Sequence, residues 1–217
     1  MASRIVVVED QSIVRDGLCS LLEGSREFDV VGVAGDGRSA LGLINQLRPD
    51  IVLMDICMPD LNGIEATRQL VADRPSIKIC ILSVQSDHHV VAEALKAGAS
   101  GYVLKDCAFA ELLQALEVVA AGKVYVSPDV MGGVVQGYLR DTPQERSDAF
   151  ALLSAREREV LQLLAEGHTN KTVSERLHLS VKTVESHRGN IMRKVGAKTL
   201  ADLVKFAIRS GVTSLED

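Results

Sequence analysis

The stretch IVLMDICMPD, Ile51–Asp60, decides how this chain folds. Four apolar residues in a row suit a strand buried on both faces, as strands of a parallel sheet are. The run stops at a carboxylate, Asp55, and Met58-Pro59 breaks its continuation. An acid at the tip of the most hydrophobic strand either caps a turn or is held out as a reagent. The flanking sequence decides between the two.

Strand-like and helical patterns alternate on both sides of this stretch. Upstream, RIVVV (Arg4–Val8) precedes a segment with apolar residues at Ile13, Val14, Leu18, Leu21 and Leu22, which is helical spacing. DVVGVA (29–34) is strand-like, and SALGLINQL (39–47) reads as a helix with Ser39 as its N-cap. Downstream, GIEATRQLVAD (63–73) is helical, IKICIL (77–82) a strand, and HVVAEALKAG (89–98) a helix stopped by Gly98. GYVL (101–104) and FAELLQALEVVAAG (109–122) complete a fifth βα unit. Five such units predict a doubly wound α/β domain over residues 3–122, a five-stranded parallel sheet with helices on both faces.

The pattern changes after Val126. Residues 127–148 contain three glycines and two prolines, with helical spacing only around Val130 to Leu139. Residues 123–150 therefore read as an interdomain linker with a short helix. From Leu153 onward the pattern is helical. Ser154 and Glu157 form a capping box at the head of SAREREVLQLLAEG, and turns follow at Gly167, at His178-Leu179-Ser180 and at Gly196. Four helices within 151–217 predict a small all-α bundle of the helix-turn-helix kind.

Composition agrees with two compact domains. Of 217 residues 47% are hydrophobic, and with no Trp, three Tyr and four Phe the cores must be aliphatic. No apolar run approaches the roughly 20 residues that span a bilayer, so no membrane partner is expected. The N-terminus shows no basic segment followed by a long apolar one, and Cys19, Cys57, Cys80 and Cys107 show no paired spacing. Both features fit a cytoplasmic protein with free thiols. Charge is uneven: residues 1–125 carry 11 basic and 17 acidic side chains, residues 151–217 carry 11 and 8. An acidic first half and a basic second half suggest different partners, the second being nucleic acid.

Asp55 gains meaning from what the other strands deliver. Ligands of open parallel sheets bind beyond the carboxyl ends of the strands. The first strand ends in Glu9-Asp10 and neighbours the third in a doubly wound sheet, so three carboxylates converge there. Like charges that close are costly unless a cation binds them or a pKa rises. A hard divalent ion, Mg²⁺ or Mn²⁺, resolves the conflict through oxygen ligands. Ser83 follows ICIL and Lys105 follows GYVL at the same edge. A hydroxyl and an ammonium facing a carboxylate and a cation suit a phosphoryl group carried on that carboxylate. Each residue taken singly is more often a turn, a cap or a solvated charge. Five groups at matching strand ends are not explained that way.

Residues 3 to about 122 resemble the receiver domain of response regulators, a flavodoxin-like fold. Glu9 and Asp10 match its acidic pair, Asp55 its phosphoacceptor, Ser83 its hydroxyl, Tyr102 its switch aromatic and Lys105 its lysine, and MPDLNG (58–63) matches the loop after the phosphoacceptor. The resemblance implies Mg²⁺ held by Asp10, Asp55 and the Cys57 backbone carbonyl, with Glu9 acting through water. It implies self-catalysed transfer from a histidine kinase or a small phosphodonor, without turnover of an external substrate. It also implies a switch in which Ser83 moves to the phosphoryl group and Tyr102 turns inward. Two departures stand out: Glu-Asp where Asp-Asp is more usual, and Asp106 after Lys105 where other receivers have proline.

In the second domain two helices flank His178-Leu179-Ser180. The second, Val181 to Val195, turns Val184, Ile191 and Val195 inward, with His187 at the edge. Lys182, Glu185, Ser186, Gly189 and Arg193 share the opposite face, sized for a major groove. Thr183, His187, Asn190 and Lys194 form a flank suited to phosphates, as is Lys171 on the preceding helix. Glu185 would accept from a base or orient Arg188 or Lys182. With the cap Ser180, the candidate DNA-binding set is Lys171, Ser180, Lys182, Thr183, Glu185, Ser186, His187, Arg188, Asn190 and Lys194. Leu153 to Gly211 resembles the LuxR-type DNA-binding domain, and the two modules together resemble the NarL/FixJ response regulators. That implies phosphorylation-controlled binding to double-stranded DNA as a homodimer. An aspartyl-phosphate phosphatase would want a second acid at position 57, which is Cys57. A flavin binder would want a glycine-rich phosphate loop, which VEDQSIV (8–14) is not. A regulator that binds DNA without phosphorylation and uses its receiver to dimerise stays open.

Overall fold

A computed structural model describes residues 2–140, 149–150 and 152–213. The chain divides into two compact units, Met1–Gln136 and Gly137–Asp217. Part of the expected linker, 141–148, and the end of the second domain, 214–217, lie outside the described residues.

In the first unit β1 (Ser3–Val8), α1 (Ser12–Glu23), β2 (Phe28–Ala34), α2 (Gly37–Leu47), β3 (Ile51–Asp55), α3 (Gly63–Asp73), β4 (Lys78–Ser83), α4 (His88–Lys96), β5 (Gly101–Leu104) and α5 (Phe109–Ala120) alternate as expected. All strand pairings are parallel, in the order β2-β1-β3-β4-β5, with β1 beside β3. Successive side chains of a strand point to opposite faces, and the core divides accordingly. Val6, Val8, Val52, Met54, Ile79, Ile81 and Tyr102 pack with residues of α2, α3 and α4. Ile5, Val7, Ile51, Leu53, Cys80, Leu82 and Val103 pack with residues of α1 and α5.

Two details differ from the sequence reading. The sheet has six strands: β6 (Tyr125–Val126) pairs with β5, and Ser127 N–H donates to Tyr102 O at 2.9 Å. Helix α6 (Pro128–Arg140) follows, and its Val130 is buried in the core under α4. A two-residue strand is too short to leave an alternating pattern, so this closing piece read as linker. The cap of α2 is Asp36, whose carboxylate accepts from Ser39 N–H at 2.8 Å and from the Ser39 hydroxyl. Ser39 is the third residue of the helix, because Asp36 is extended and the helix starts at Gly37.

The described part of the second unit contains α7 (Ala155–Ala165), α8 (Asn170–Arg176), α9 (Val181–Val195) and α10 (Leu200–Arg209). The Ser154–Glu157 capping box forms in both directions, and Ser180 caps α9 through Thr183 N–H. Val160, Leu161, Leu163, Val173, Val184, Ile191, Leu203 and Ala207 are fully buried in one aliphatic core. Val195 packs at its edge, as the inward face of α9 requires. His178, in the turn between α8 and α9, takes φ +53°, and Gly196 ends α9 at φ +71°. No helix among the described residues is long and apolar enough to cross a membrane.

Candidate functional site

The strand ends deliver their polar groups to one place. Asp55 closes β3 opposite Leu82, and Ser83 closes β4 opposite Leu104. Glu9 and Asp10 follow β1, and Lys105 N–H donates to Ser83 O at 2.9 Å. Glu9, Asp10 and Asp55 can each bring an oxygen within 4.8 Å of the others. Asp55 and Glu9 are almost wholly buried, at 3% and 1% exposed. Lys105 Nζ lies 2.8 Å from Glu9 Oε2 and 3.1 Å from Asp55 Oδ2, and so bridges two of the acids. The other Asp55 oxygen accepts from Ile56 N–H at 2.8 Å.

The backbone of the next loop is shaped around Asp55. Gly63 opens α3 so near Asp55 O that a Cβ there would lie 1.8 Å from it, which only glycine avoids. Gly63 N–H donates to Ile56 O, and Asn62 caps the helix by accepting from Glu65 N–H at 2.9 Å. These bonds return the chain sharply after Pro59 into α3.

Burial sets the electrostatics. It pushes the Asp55 carboxyl up to about 7; Lys105 opposes this and the Glu9 charge adds to it. Burial also raises Glu9, against the Lys105 bond and charge. Burial works against the Lys105 ammonium, but the Asp55 charge and the Glu9 bond outweigh it and raise its pKa. Asp10 Oδ1 is buried with no hydrogen-bond partner among the described residues. Three clustered carboxylates, one with an orphaned buried oxygen, fit a hard divalent cation.

Tyr102 is fully buried, and its hydroxyl donates to Gln85 O at 2.7 Å. Gln85 is a residue the sequence did not mark. Its N–H donates to Ser83 Oγ at 3.1 Å and its side-chain amide to Cys57 Sγ at 3.0 Å, so one residue of the β4–α4 loop touches the hydroxyl, the aromatic and the loop after Asp55. Arg15 of α1 was also unmarked: its Nη1 donates to Glu9 O at 2.7 Å and, more loosely, to Asp10 O at 3.5 Å.

In the second unit Lys182, Glu185, Ser186, Gly189 and Arg193 are exposed along one side of α9, opposite the buried Val184 and Ile191. Thr183, His187, Arg188 and Asn190 are half-buried, and Lys171 on α8 is exposed. Nothing lies within 4 Å of where a Gly189 Cβ would be, so that face is open. Ser180 Oγ and Thr183 Oγ1 are 2.8 Å apart and engaged in the cap, and Arg193 donates to Asn190 at 2.9 Å. Lys194 is set apart from the others: its Nζ lies 2.6 Å from Glu157 Oε2 and 2.9 Å from Leu152 O.

Comparison with known proteins agrees with both halves. The family described as "Response regulator receiver domain" matches residues 5–117, and "Bacterial regulatory proteins, luxR family" matches residues 151–207. The transcriptional regulatory protein DegU of Brevibacillus brevis is 37% identical over 96% of this chain and 94% of its own length. The oxygen regulatory protein NreC of Staphylococcus carnosus (strain TM300) is 36% identical over 95% and 97%. The crystal structure of a LuxR-family two-component response regulator from Aurantimonas sp. SI85-9A1 superposes with a TM-score of 0.62 at 36% identity, over 64% of this chain and 100% of that one. The chain thus belongs to the two-component response regulators, as a receiver domain followed by a LuxR-type DNA-binding domain.

Proposed function

We propose that Asp55 accepts a phosphoryl group, from a histidine kinase or a small phosphodonor in the cytoplasm, and that this modification controls transcription through sequence-specific DNA binding by α9. The observation that carries the reading is Lys105 Nζ lying between Asp55 and Glu9 at the carboxyl edge of the sheet. An ionised Asp55 oxygen attacks phosphorus, the bond to the donor's nitrogen or oxygen breaks, and its electron pair leaves with the donor. Lys105 stays beside Asp55 and offsets the added charge, and Ser83 offers its hydroxyl to a phosphoryl oxygen. Glu9, Asp10, Asp55 and the Cys57 carbonyl would hold Mg²⁺ or Mn²⁺. Bound there, the cation supplies charge neutralisation for the acids and the incoming phosphoryl oxygens.

On the DNA side the exposed face of α9, Lys182, Glu185, Ser186, Gly189 and Arg193, is assigned to the groove with Arg188 beside it, and Lys171, Thr183, His187 and Asn190 to the DNA backbone, with Ser180 capping the helix. Lys194 contributes less than its charge implies, because Glu157 already holds it. A homodimer on DNA follows from size: a single four-helix module buries little surface, and two half-sites multiply the binding energy. A second reading, in which the receiver only dimerises and DNA binding ignores phosphate, draws on the full burial of Tyr102.

Incubation with acetyl phosphate and Mg²⁺ should add the mass of one phosphoryl group to the intact protein, and not to Asp55→Asn. Footprinting of both proteins, with and without the donor, then separates the two readings. A donor-dependent gain in DNA affinity supports the switch; equal affinity supports the second reading. Labelling of Asp55→Asn to the parent's extent would remove Asp55 from its role.

A further inference from the structure

We infer that Arg15 is a positioning residue for the metal-binding acids, acting through the peptide carbonyls of the pair rather than on the cation. This rests on the metal-site reading above. Glu9 and Asp10 leave β1 together, and only the first is fixed by strand pairing, through Glu9 N–H to Ala34 O. Beyond that point the backbone must hold two like charges side by side. One guanidinium nitrogen reaches back from the first turn of α1 and donates to both carbonyls, at 2.7 and 3.5 Å. Gln11 N–H, at the N-cap of the same helix, donates to Glu9 Oε1 at 3.2 Å. Helix α1 thereby clamps the strand end at two kinds of group: main-chain carbonyls through Arg15, and a side-chain oxygen through Gln11 N–H.

The seat of the guanidinium is shaped for it. Gly35, just beyond β2, lies so close that a Cβ there would sit 3.3 Å from Arg15 Nη1 and 4.0 Å from Glu9 O. A Cβ at position 35 would require the nitrogen that makes the clamp to give by a few tenths of an ångström. The contacts run to the carbonyls just after β1 and to Gly35 just after β2, whereas Asp55 closes β3 and Lys105 follows β5. Arg15 therefore orders the acids without belonging to the phosphoryl pocket.

The two effects a cation can have here are opposite in sign. Acting only as a charge, Arg15 repels a divalent ion, and its removal would tighten metal binding. Acting by positioning, it pre-orders the ligands, and its removal weakens binding. Mutation of groups that orient metal ligands weakens affinity by about tenfold or more. The sign of the change therefore decides.

Mn²⁺ titration followed by EPR of the free ion, on the full chain, reads this directly. Arg15→Ala should bind Mn²⁺ about tenfold more weakly, and Arg15→Lys, which keeps the charge and one donor, should fall between it and the parent. Thermal melts in EDTA accompany the titration and separate a loss of fold from a loss of metal affinity. Unchanged or tighter binding by Arg15→Ala would overturn the proposal. Failure of the metal-site reading looks different: the parent would bind no Mn²⁺, or Asp10→Asn would bind as the parent does.

Discussion

Among single residues, Asp55 carries the sharpest conflict between burial and charge. Its pKa rises from an ordinary 3.8 to about 7 in the folded protein. The folded state therefore holds the proton more tightly than the unfolded chain, and stability falls as pH rises across that interval. Glu9 shifts in the same direction and adds to the effect. Without metal, the receiver's thermal midpoint should fall between pH 5 and pH 8, and added Mg²⁺ should restore it at the upper end. Asp55→Asn should flatten this profile and raise stability at pH 8 by about 2 kcal/mol. Melts in EDTA across that range check it, and a parent whose stability climbs with pH would contradict the burial argument. The acids, Ser83 and Lys105 were legible in the sequence because each is a polar residue ending an apolar run, and topology alone brings such ends together. Arg15 and Gln85 were not, because they work largely through carbonyls and amides, which no side-chain pattern marks.

At the scale of elements, α9 is held by more than its apolar face. Lys194, near the end of α9, bonds Glu157 in the capping box that opens α7. Burial alone would raise the Glu157 pKa, but the bonds from Lys194 and Ser154 outweigh it and hold it below the usual glutamate value. The contribution to stability is thus present at neutral pH and lost as pH falls through that depressed value. Lys194→Ala should cost about 1–2 kcal/mol at pH 7, since a buried carboxylate loses its charged partner and keeps the Ser154 N–H. Urea melts should show the difference shrinking in acid. The same variant should leave the salt dependence of DNA binding nearly unchanged, whereas Glu185→Ala should alter the consensus recovered from a random pool. A loss of about one unit of salt slope in Lys194→Ala would return that lysine to the phosphate contacts. Caps at Ser154 and Ser180 were readable because donor and acceptor lie three residues apart. The α2 cap was misplaced by the same proximity, two candidate caps standing three residues apart. The Lys194–Glu157 bond spans 37 positions and had no local sign.

For the molecule as a whole, the receiver does not end where its composition changes. β6 pairs with β5, Ser127 Oγ bonds Glu111, and Val130 fills part of the core. A fragment stopping at Gly122 would leave β5 as a bare edge, open to pairing with another chain. It should melt lower than a fragment stopping at Gln136 and scatter light as larger particles; equal behaviour of the two would show β6 and α6 to be dispensable. The sequence placed the five-stranded frame correctly because five long periodic segments specify it, while a closing strand of two residues leaves no period to detect. Such a border also bears on how chains of this kind diverge. Recombination that exchanges one DNA specificity for another keeps the sixth strand and the packing behind it only if the seam falls beyond Val134, so that the inherited unit is the receiver together with its own selvedge.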